Sequence, residues 1–241
     1  MQAIRPYTQI YLDFDGQKML QKIEAVARTC YKSEGKIEEG SAEKMVKALI
    51  RNGHEAMLEH ASVTVKFVCD RGVSHELVRH RVASFAQEST RYCNYSKDDF
   101  GSEVTFILPF FLNYGTPGFK VWKEQMKSAE KAYFDMLDIG HTPQEARSVL
   151  PNSLKTEVNM TCNLREWRHF FKLRAAGVTG VPHPQMLEVS VPLLQDMKNL
   201  IPVIFDDIEP CKQGEIFLKT DELEAPDKVF QKKDGDPDET N

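Results

Sequence analysis

Two periodicities divide the chain. Residues 7–14, 61–69 and 154–161 alternate apolar and polar side chains, the pattern of strands with one buried face. In the second run Val63, Val65 and Phe67 face one way and Thr64, Lys66 and Val68 the other. In the third, Thr156, Val158 and Met160 oppose Lys155, Glu157 and Asn159. The run 104–112 is apolar and aromatic, but Pro109 cannot donate to a ladder, so a strand there ends early or lies at an edge.

Between these runs apolar residues recur at helical spacing. Gly16 precedes a helix with Met19, Leu20, Ile23, Val26 and Ala27 inward, ending near Cys30 and Tyr31. Ser41 is placed as N-cap of a second helix, carrying Met45, Val46, Leu49 and Ile50 and stopped by Gly53. Asp70-Arg71-Gly72 reads as a turn, and Ser74 as N-cap of a helix whose buried side is Leu77, Val78, Val82 and Phe85. Thr116-Pro117 opens a long helix to about Ile139, with Trp122, Met126, Ala129, Tyr133, Met136 and Leu137 as its stripe. Thr142-Pro143-Gln144-Glu145 is a capping box with Pro at the first helical position. Asn163, with Glu166 three residues on, caps a helix over 164–174. A last helix follows His183-Pro184-Gln185 and runs to about Leu200. The predicted architecture is α/β, a central, mostly antiparallel sheet packed with long helices. One domain is expected over 1–218, and an acidic, proline-bearing, mobile tail over 219–241.

Composition narrows the class. Of 241 residues, 41% are hydrophobic and 28% charged, the balance of a globular protein with a substantial core. The net charge of −5 argues against a general nucleic-acid binder. Cys30, Cys69, Cys93, Cys162 and Cys211 are odd in number and widely spaced, with no CxxC pair, which fits the reduced thiols of a cytoplasm. No apolar run reaches membrane-spanning length, and the N-terminus lacks a signal-peptide pattern. A cytoplasmic protein is expected.

Candidate chemistry concentrates in SHELVRHRVASFAQESTRYCNY, residues 74–95. Arg79 and Arg81 flank His80, and a polar turn follows with Ser89 and Arg91. Guanidinium groups are rigid donor forks that match phosphate oxygens and planar carbonyl edges. The cluster therefore points to a phosphorylated, planar ligand; the plain alternative is a solvated charge run. Upstream, His54 and His60 with Glu55 and Glu59 suggest metal at first sight. A zincin needs HExxH, with both histidines on one helical face, and here they are six apart. Polar residues at an element junction, or a ligand-contacting loop, are the other readings, and no metal site is expected.

Arg79-His80-Arg81, seven residues, then Ser89 resembles the signature of the flavin-dependent thymidylate synthases. ARTCY (27–31), GHEAMLEH (53–60), the strand 61–69, ESTRY (88–92), the segment around Arg147 and NLREWRHFFKLR (163–174) resemble that family in the same order, over roughly residues 15 to 200. The resemblance implies a methyltransferase that converts dUMP to dTMP. Its carbon donor would be 5,10-methylenetetrahydrofolate, its reductant NADPH and its bound cofactor FAD. It also implies a homotetramer with active sites shared between subunits.

Residue by residue, the resemblance implies contacts to dUMP from Glu76, Arg79, Gln87, Glu88, Ser89, Arg91, Arg147 and Arg174. It implies contacts to FAD from His54, Glu59, Arg79, His80, Arg81, Gln87, Asn163, Arg165 and His169. Arg174 would stabilise anionic uracil and make C5 electron-rich, with Ser89 orienting the ring; no enzyme nucleophile is assigned, since no base adjoins Ser89 in sequence. Three of these residues carry competing structural readings: Asn163 as a helix cap, His169 as a partly buried histidine beside Trp167, and Arg174 as an end-of-helix cation.

Three features depart from the family pattern. Glu76 stands where several members carry Gln, and a carboxylate beside a phosphate is unfavourable, so pairing with Arg79 or His80 is expected. The AAGVTGVP loop before His183 is longer than the usual link. Ala56 and Ala86 replace polar residues. Two rivals remain at this stage: a regulatory nucleotide- or flavin-binding protein of the same fold without turnover, and a metal-dependent nucleotide hydrolase using His54, Glu55, Glu59 and His60.

Overall fold

The computed structural model describes residues 1–91, Tyr95 and residues 103–218. Tyr92, Cys93 and the 219–241 tail, on which sequence expectations were placed, lie outside the described residues.

The long strands β3 (Ser62–Asp70) and β6 (Lys155–Asn163) pair antiparallel along their whole length, from Ser62 opposite Asn163 to Asp70 opposite Lys155. Strict alternation fixes which face each side chain joins. Val63, Val65, Phe67 and Cys69 of β3, with Thr156, Val158, Met160 and Cys162 of β6, form the buried face. On the opposite face the Thr64 and Thr161 hydroxyls bond at 2.9 Å, and Lys66 pairs with Glu157. Strands β2 (Tyr7–Ile10) and β4 (Ala83–Gln87) complete an antiparallel sheet of order β2-β3-β6-β4.

Helix α6 (Leu164–Arg174) lies on the buried face. Trp167, Phe170 and Phe171 are wholly buried there, and the Trp167 indole donates to the Val63 carbonyl at 3.1 Å. Helix α7 (Pro184–Leu200) and helix α1 (Gly16–Thr29) close the same core. Helix α2 (Ser41–Arg51) packs beside α1. A smaller cluster forms around Phe106, Met126, Tyr133 and Leu154 under helix α4 (Pro117–Asp138). Strand β5 (Thr105–Ile107) stops before Pro109, as its sequence requires. It pairs in parallel with β1 (Gln2–Ile4), a strand too short to show a period.

The caps follow the sequence in three places. Thr116 caps α4, Thr142 and Glu145 form the box at α5 (Pro143–Ala146), and the Asn163 side chain accepts from the Glu166 amide at 2.9 Å. Elsewhere they move. Gly40, at φ 73°, takes the N-cap of α2, one residue before Ser41. The first strand ends at Ile10, and Asp15 caps α1.

The largest correction falls on the central stretch. Asp70-Arg71-Gly72 is the start of a helix: α3 spans only Arg71–Leu77, capped by Asp70 through the Val73 amide at 2.8 Å, and Ser74 lies inside it. The chain then turns, and Ala83–Gln87 pairs with β6 as an edge strand. Val78 and Val82, expected inside a helix, are 43% and 64% exposed. The reason is tertiary: β6 offers an open edge, and VASFAQ alternates well enough to satisfy it, so ladder bonds replace a marginal second half of helix. Arg79-His80-Arg81 is thereby left in the turn between α3 and β4.

Candidate active site

On α6, Glu166, Phe170 and Arg174 follow at four-residue steps and so share one face. The turn after α3 lowers His80 onto that face. Its ring meets Phe170 edge-on at 5.1 Å and is 4% exposed, whereas Arg79 and Arg81 point to solvent. His80 Nδ1 lies 3.0 Å from Glu166 Oε1, and Arg174 Nε–H donates to His80 Nε2 at 3.2 Å. A guanidinium has no acceptor, so Nε2 must carry the lone pair and Nδ1 the proton. Burial pushes the imidazole pKa below its ordinary value, with the Arg174 charge adding to the effect, which keeps the ring in this neutral form.

Arg174 is held from the other side by α3. Its Nη1 donates to Glu76 Oε2 at 2.7 Å, and Nη2 to the Glu76 carbonyl at 3.4 Å. The expectation that Glu76 pairs with Arg79 or His80 is thus corrected, because the end of α6 reaches α3 first. The Ser190 hydroxyl of α7 donates to the Arg174 carbonyl at 2.7 Å and fixes the helix end. Glu76 and Arg174 then line a cleft of about 340 Å³, walled by Leu173 and by Thr179 to His183, the long loop of the sequence. His183 borders this cleft and also caps α7, accepting from the Gln185 amide at 3.3 Å.

A second cleft, of about 390 Å³, opens where β6 enters α6. Glu59, Asn163, Arg165 and His169 line it with Glu55, Val82, Glu166 and Lys172. Four residues that the sequence points toward FAD therefore come together here. Arg165 is paired with Glu59 at 2.6 Å, and Lys172 lies 3.6 Å from Glu55. Arg165, on an exposed ion pair, and Lys172, on a half-buried one, are cations suited to a pyrophosphate. The donor set fits that part of FAD, although the cleft is smaller than a whole dinucleotide. Of the rest of the set, His80 touches this wall through Glu166 and His169, and Arg81 directly precedes Val82 of its lining. His54 is exposed just before a 3₁₀ turn over Glu55–His60, and Gln87 donates to Ser74 at 3.0 Å and Thr156 at 3.2 Å.

A third group gathers at the far end of β4. Arg147 donates to the Thr90 hydroxyl at 3.1 Å, and Ser89 Oγ accepts from the Arg91 amide at 3.3 Å. Lys155 bridges Glu88 at 3.1 Å and Glu157 at 2.6 Å. Burial works against the Lys155 charge, but the Glu157 and Glu88 carboxylates outweigh it and hold its pKa above the ordinary lysine value. Glu88, Ser89 and Arg147 share no hydrogen bond with Glu76, His80 or Arg174 among the described residues. The residues expected around one nucleotide are thus not joined in one hydrogen-bond network, although Gln87 ties the end of β4 to α3 through Ser74.

Among the described residues, His80, Glu166 and His169 bring potential metal-ligand atoms within 4.8 Å of one another. Both His80 nitrogens are engaged, and the Arg174 cation adjoins them, so the arrangement acts as a hydrogen-bond relay. His54, Glu55, Glu59 and His60 form no such group; Glu55 meets Arg168 at 3.2 Å, and Glu59 meets Arg165. Sequence reasoning missed Lys172 on the second cleft, weighed Glu55 as a metal ligand or as part of a ligand-contacting loop, and gave Glu166 only a capping role. The 166–170–174 spacing was the available signal for Glu166.

The family described as thymidylate synthase complementing protein matches residues 15–203. The flavin-dependent thymidylate synthase of Geobacter sulfurreducens is 33% identical over 196 residues, covering 78% of this chain and 82% of that protein. That of Pyrococcus furiosus is 34% identical over 176 residues, covering 73% and 68%. Among solved structures, the UMP/dUMP methylase PolB from Streptomyces cacaoi, bound with 5-Br dUMP, superposes with a TM-score of 0.71 at 23% identity, over 86% of this chain and 96% of that one; it shares the fold. The chain belongs to the flavin-dependent thymidylate synthase family.

Proposed function

We propose that the protein is a flavin-dependent thymidylate synthase, a methyltransferase that converts dUMP to dTMP with 5,10-methylenetetrahydrofolate as carbon donor and NADPH as reductant. The observation that carries this reading is Arg174, a cation on the rim of a cleft whose fork is fixed by His80 and Glu76. Such a group stabilises negative charge on a uracil carbonyl, assists loss of the N3 proton and leaves C5 electron-rich without a covalent enzyme bond. Ser89 orients the ring, and Arg91 and Arg147 meet the nucleotide's charged oxygens. Glu76, Arg79, Gln87 and Glu88 border the nucleotide.

Asn163, Arg165 and His169, with Glu59, would hold part of FAD, and His54, Arg79, Arg81 and Gln87 would extend that surface; His80 acts through Arg174. When bound, reduced FAD supplies the hydride that completes the methyl group. The family resemblance supports a homotetramer in which each site draws on more than one chain. We place the catalytic domain at 1–218 and the enzyme in the cytoplasm.

The test is the visible spectrum of the purified protein, followed by a dTMP assay with dUMP, methylenetetrahydrofolate and NADPH. An oxidised-flavin spectrum that NADPH bleaches anaerobically, with dTMP formed, is expected. A protein that is colourless and takes up no added FAD overturns the proposal. Flavin binding without dTMP leaves the non-catalytic binding protein in its place.

A further inference from the structure

Glu166 has no part in the proposed chemistry, yet it is 8% exposed and turned inward at the first turn of α6. Its Oε1 meets His80 Nδ1 at 3.0 Å, and His80 Nε2 in turn receives Arg174 Nε–H at 3.2 Å. We propose that Glu166 is a positioning residue for Arg174: by accepting the Nδ1 proton of His80 it fixes the ring as the tautomer whose Nε2 lone pair holds the Arg174 guanidinium in its working orientation. The inference rests on the reading of Arg174 as the group that faces uracil.

The physical need is specific. A buried neutral imidazole has two tautomers of similar intrinsic energy, and only one accepts at Nε2. With a carboxylate at Nδ1, the proton stays there. Without it, the other tautomer would point Nε2–H at Arg174 Nε–H, donor against donor, and the fork would keep only its bonds to Glu76. Glu76 belongs to α3 and has to yield when a ligand approaches Arg174. The His80 bond is then the one that keeps the guanidinium plane in place. Phe170, edge-on at 5.1 Å, and His169, at 5.8 Å, pack against the ring.

The titratable and charged groups facing His80 are Glu166, His169 and Arg174 on α6, with Glu76 of α3 reaching it through Arg174. Glu166 favours the imidazolium, whereas burial and Arg174 oppose it more strongly. Protonation of His80 removes the Nε2 lone pair, so activity is lost on the acid side. Taking away the Glu166 charge moves that limb to lower pH.

The test uses the FAD-loaded protein with ¹⁵N-labelled histidine, compared with Glu166→Gln and Glu166→Leu. Wild-type His80 is expected to show Nδ1 protonated and Nε2 bare near neutral pH. In Glu166→Leu that tautomer gives way, and kcat for dTMP, taken per bound flavin because Glu166 also lines the second cleft, falls at least about tenfold. Glu166→Gln, which is isosteric and still accepts at Nδ1, keeps most of kcat while its acid limb shifts to lower pH. A wild-type His80 bearing Nε2–H, or an unshifted acid limb in Glu166→Gln, overturns the inference. Should Glu166→Leu fail to fold, the wild-type tautomer and the Glu166→Gln profile decide. Failure of the wild-type protein to form dTMP sinks the functional reading separately, because the tautomer is read without turnover.

Discussion

Arg174 and Glu76, 98 residues apart in sequence, meet at 2.7 Å, so the cation proposed to face uracil is already occupied by a carboxylate of its own chain. Both side chains are partly exposed, at 21% and 32%, and such a pair is worth about 1 kcal/mol or less. A nucleotide has to displace it. Glu76→Gln should therefore tighten dUMP binding, lowering Kd about threefold to fivefold by titration calorimetry. Unchanged or weaker binding would show that Glu76 does not compete with the nucleotide for Arg174.

Arg174→Lys keeps the charge but loses the planar fork, with its simultaneous bonds to His80 and Glu76. Its kcat should fall about 100-fold, the scale of one lost charge-stabilising donor, with the thermal midpoint little changed. A variant within a few fold of wild type would mean that Arg174 supplies only bulk charge.

The proposed homotetramer makes a prediction about assembly. Arg147→Ala and Arg174→Ala should each abolish dTMP formation. If every site takes Arg147 and Arg174 from different chains, mixed oligomers rebuild intact sites in about a quarter of positions. Co-refolding the two inactive variants should then restore about a quarter of wild-type activity. No recovery on mixing would place both arginines at one site of a single chain.

Glu188 gives a pH prediction away from the site. Its Oε2 is buried without a partner among the described residues, and burial pushes the carboxyl pKa up to about 8, although Arg5 and the Phe110 amide pull it down. An acid whose folded pKa is raised binds more protons in the native state than in the unfolded one, so stability falls as pH rises from about 4.5 to about 8. Glu188→Gln should match wild type at pH 5 and exceed it by about 3 °C or more in thermal midpoint at pH 8. Equal midpoints at both pH values would show that Glu188 is not held protonated.

Gly16 tests the packing of α1 against the end of α7. A Cβ at this position would lie 2.0 Å from the Leu200 carbonyl oxygen, a contact that backbone can relieve only by moving one helix. Gly16→Ala should cost about 2 kcal/mol or more in urea unfolding, despite alanine's better helix propensity. Unchanged stability would mean that the two helices separate freely.

The sequence by itself determined the long strands, three of the caps and most of the helices. Alternation at 61–69 and 154–161 fixes which side chains are buried whatever the partner strand. Thr116, Thr142 and Asn163 act on amides within three residues of themselves. The signature around Arg79-His80-Arg81 likewise carried the family, because its spacing lies within one short stretch of chain. Only the tertiary structure decided what that stretch became. The helical spacing of Val78, Val82 and Phe85 and the alternation of VASFAQ are both present in the same letters, and the open edge of β6, 68 or more residues away, chose the strand. The same long-range contacts set Glu76 on Arg174 and Glu166 on His80. Hydrogen bonds across 98 and 86 residues depend on how α3 and α6 approach over a shared core, and no local pattern specifies that distance.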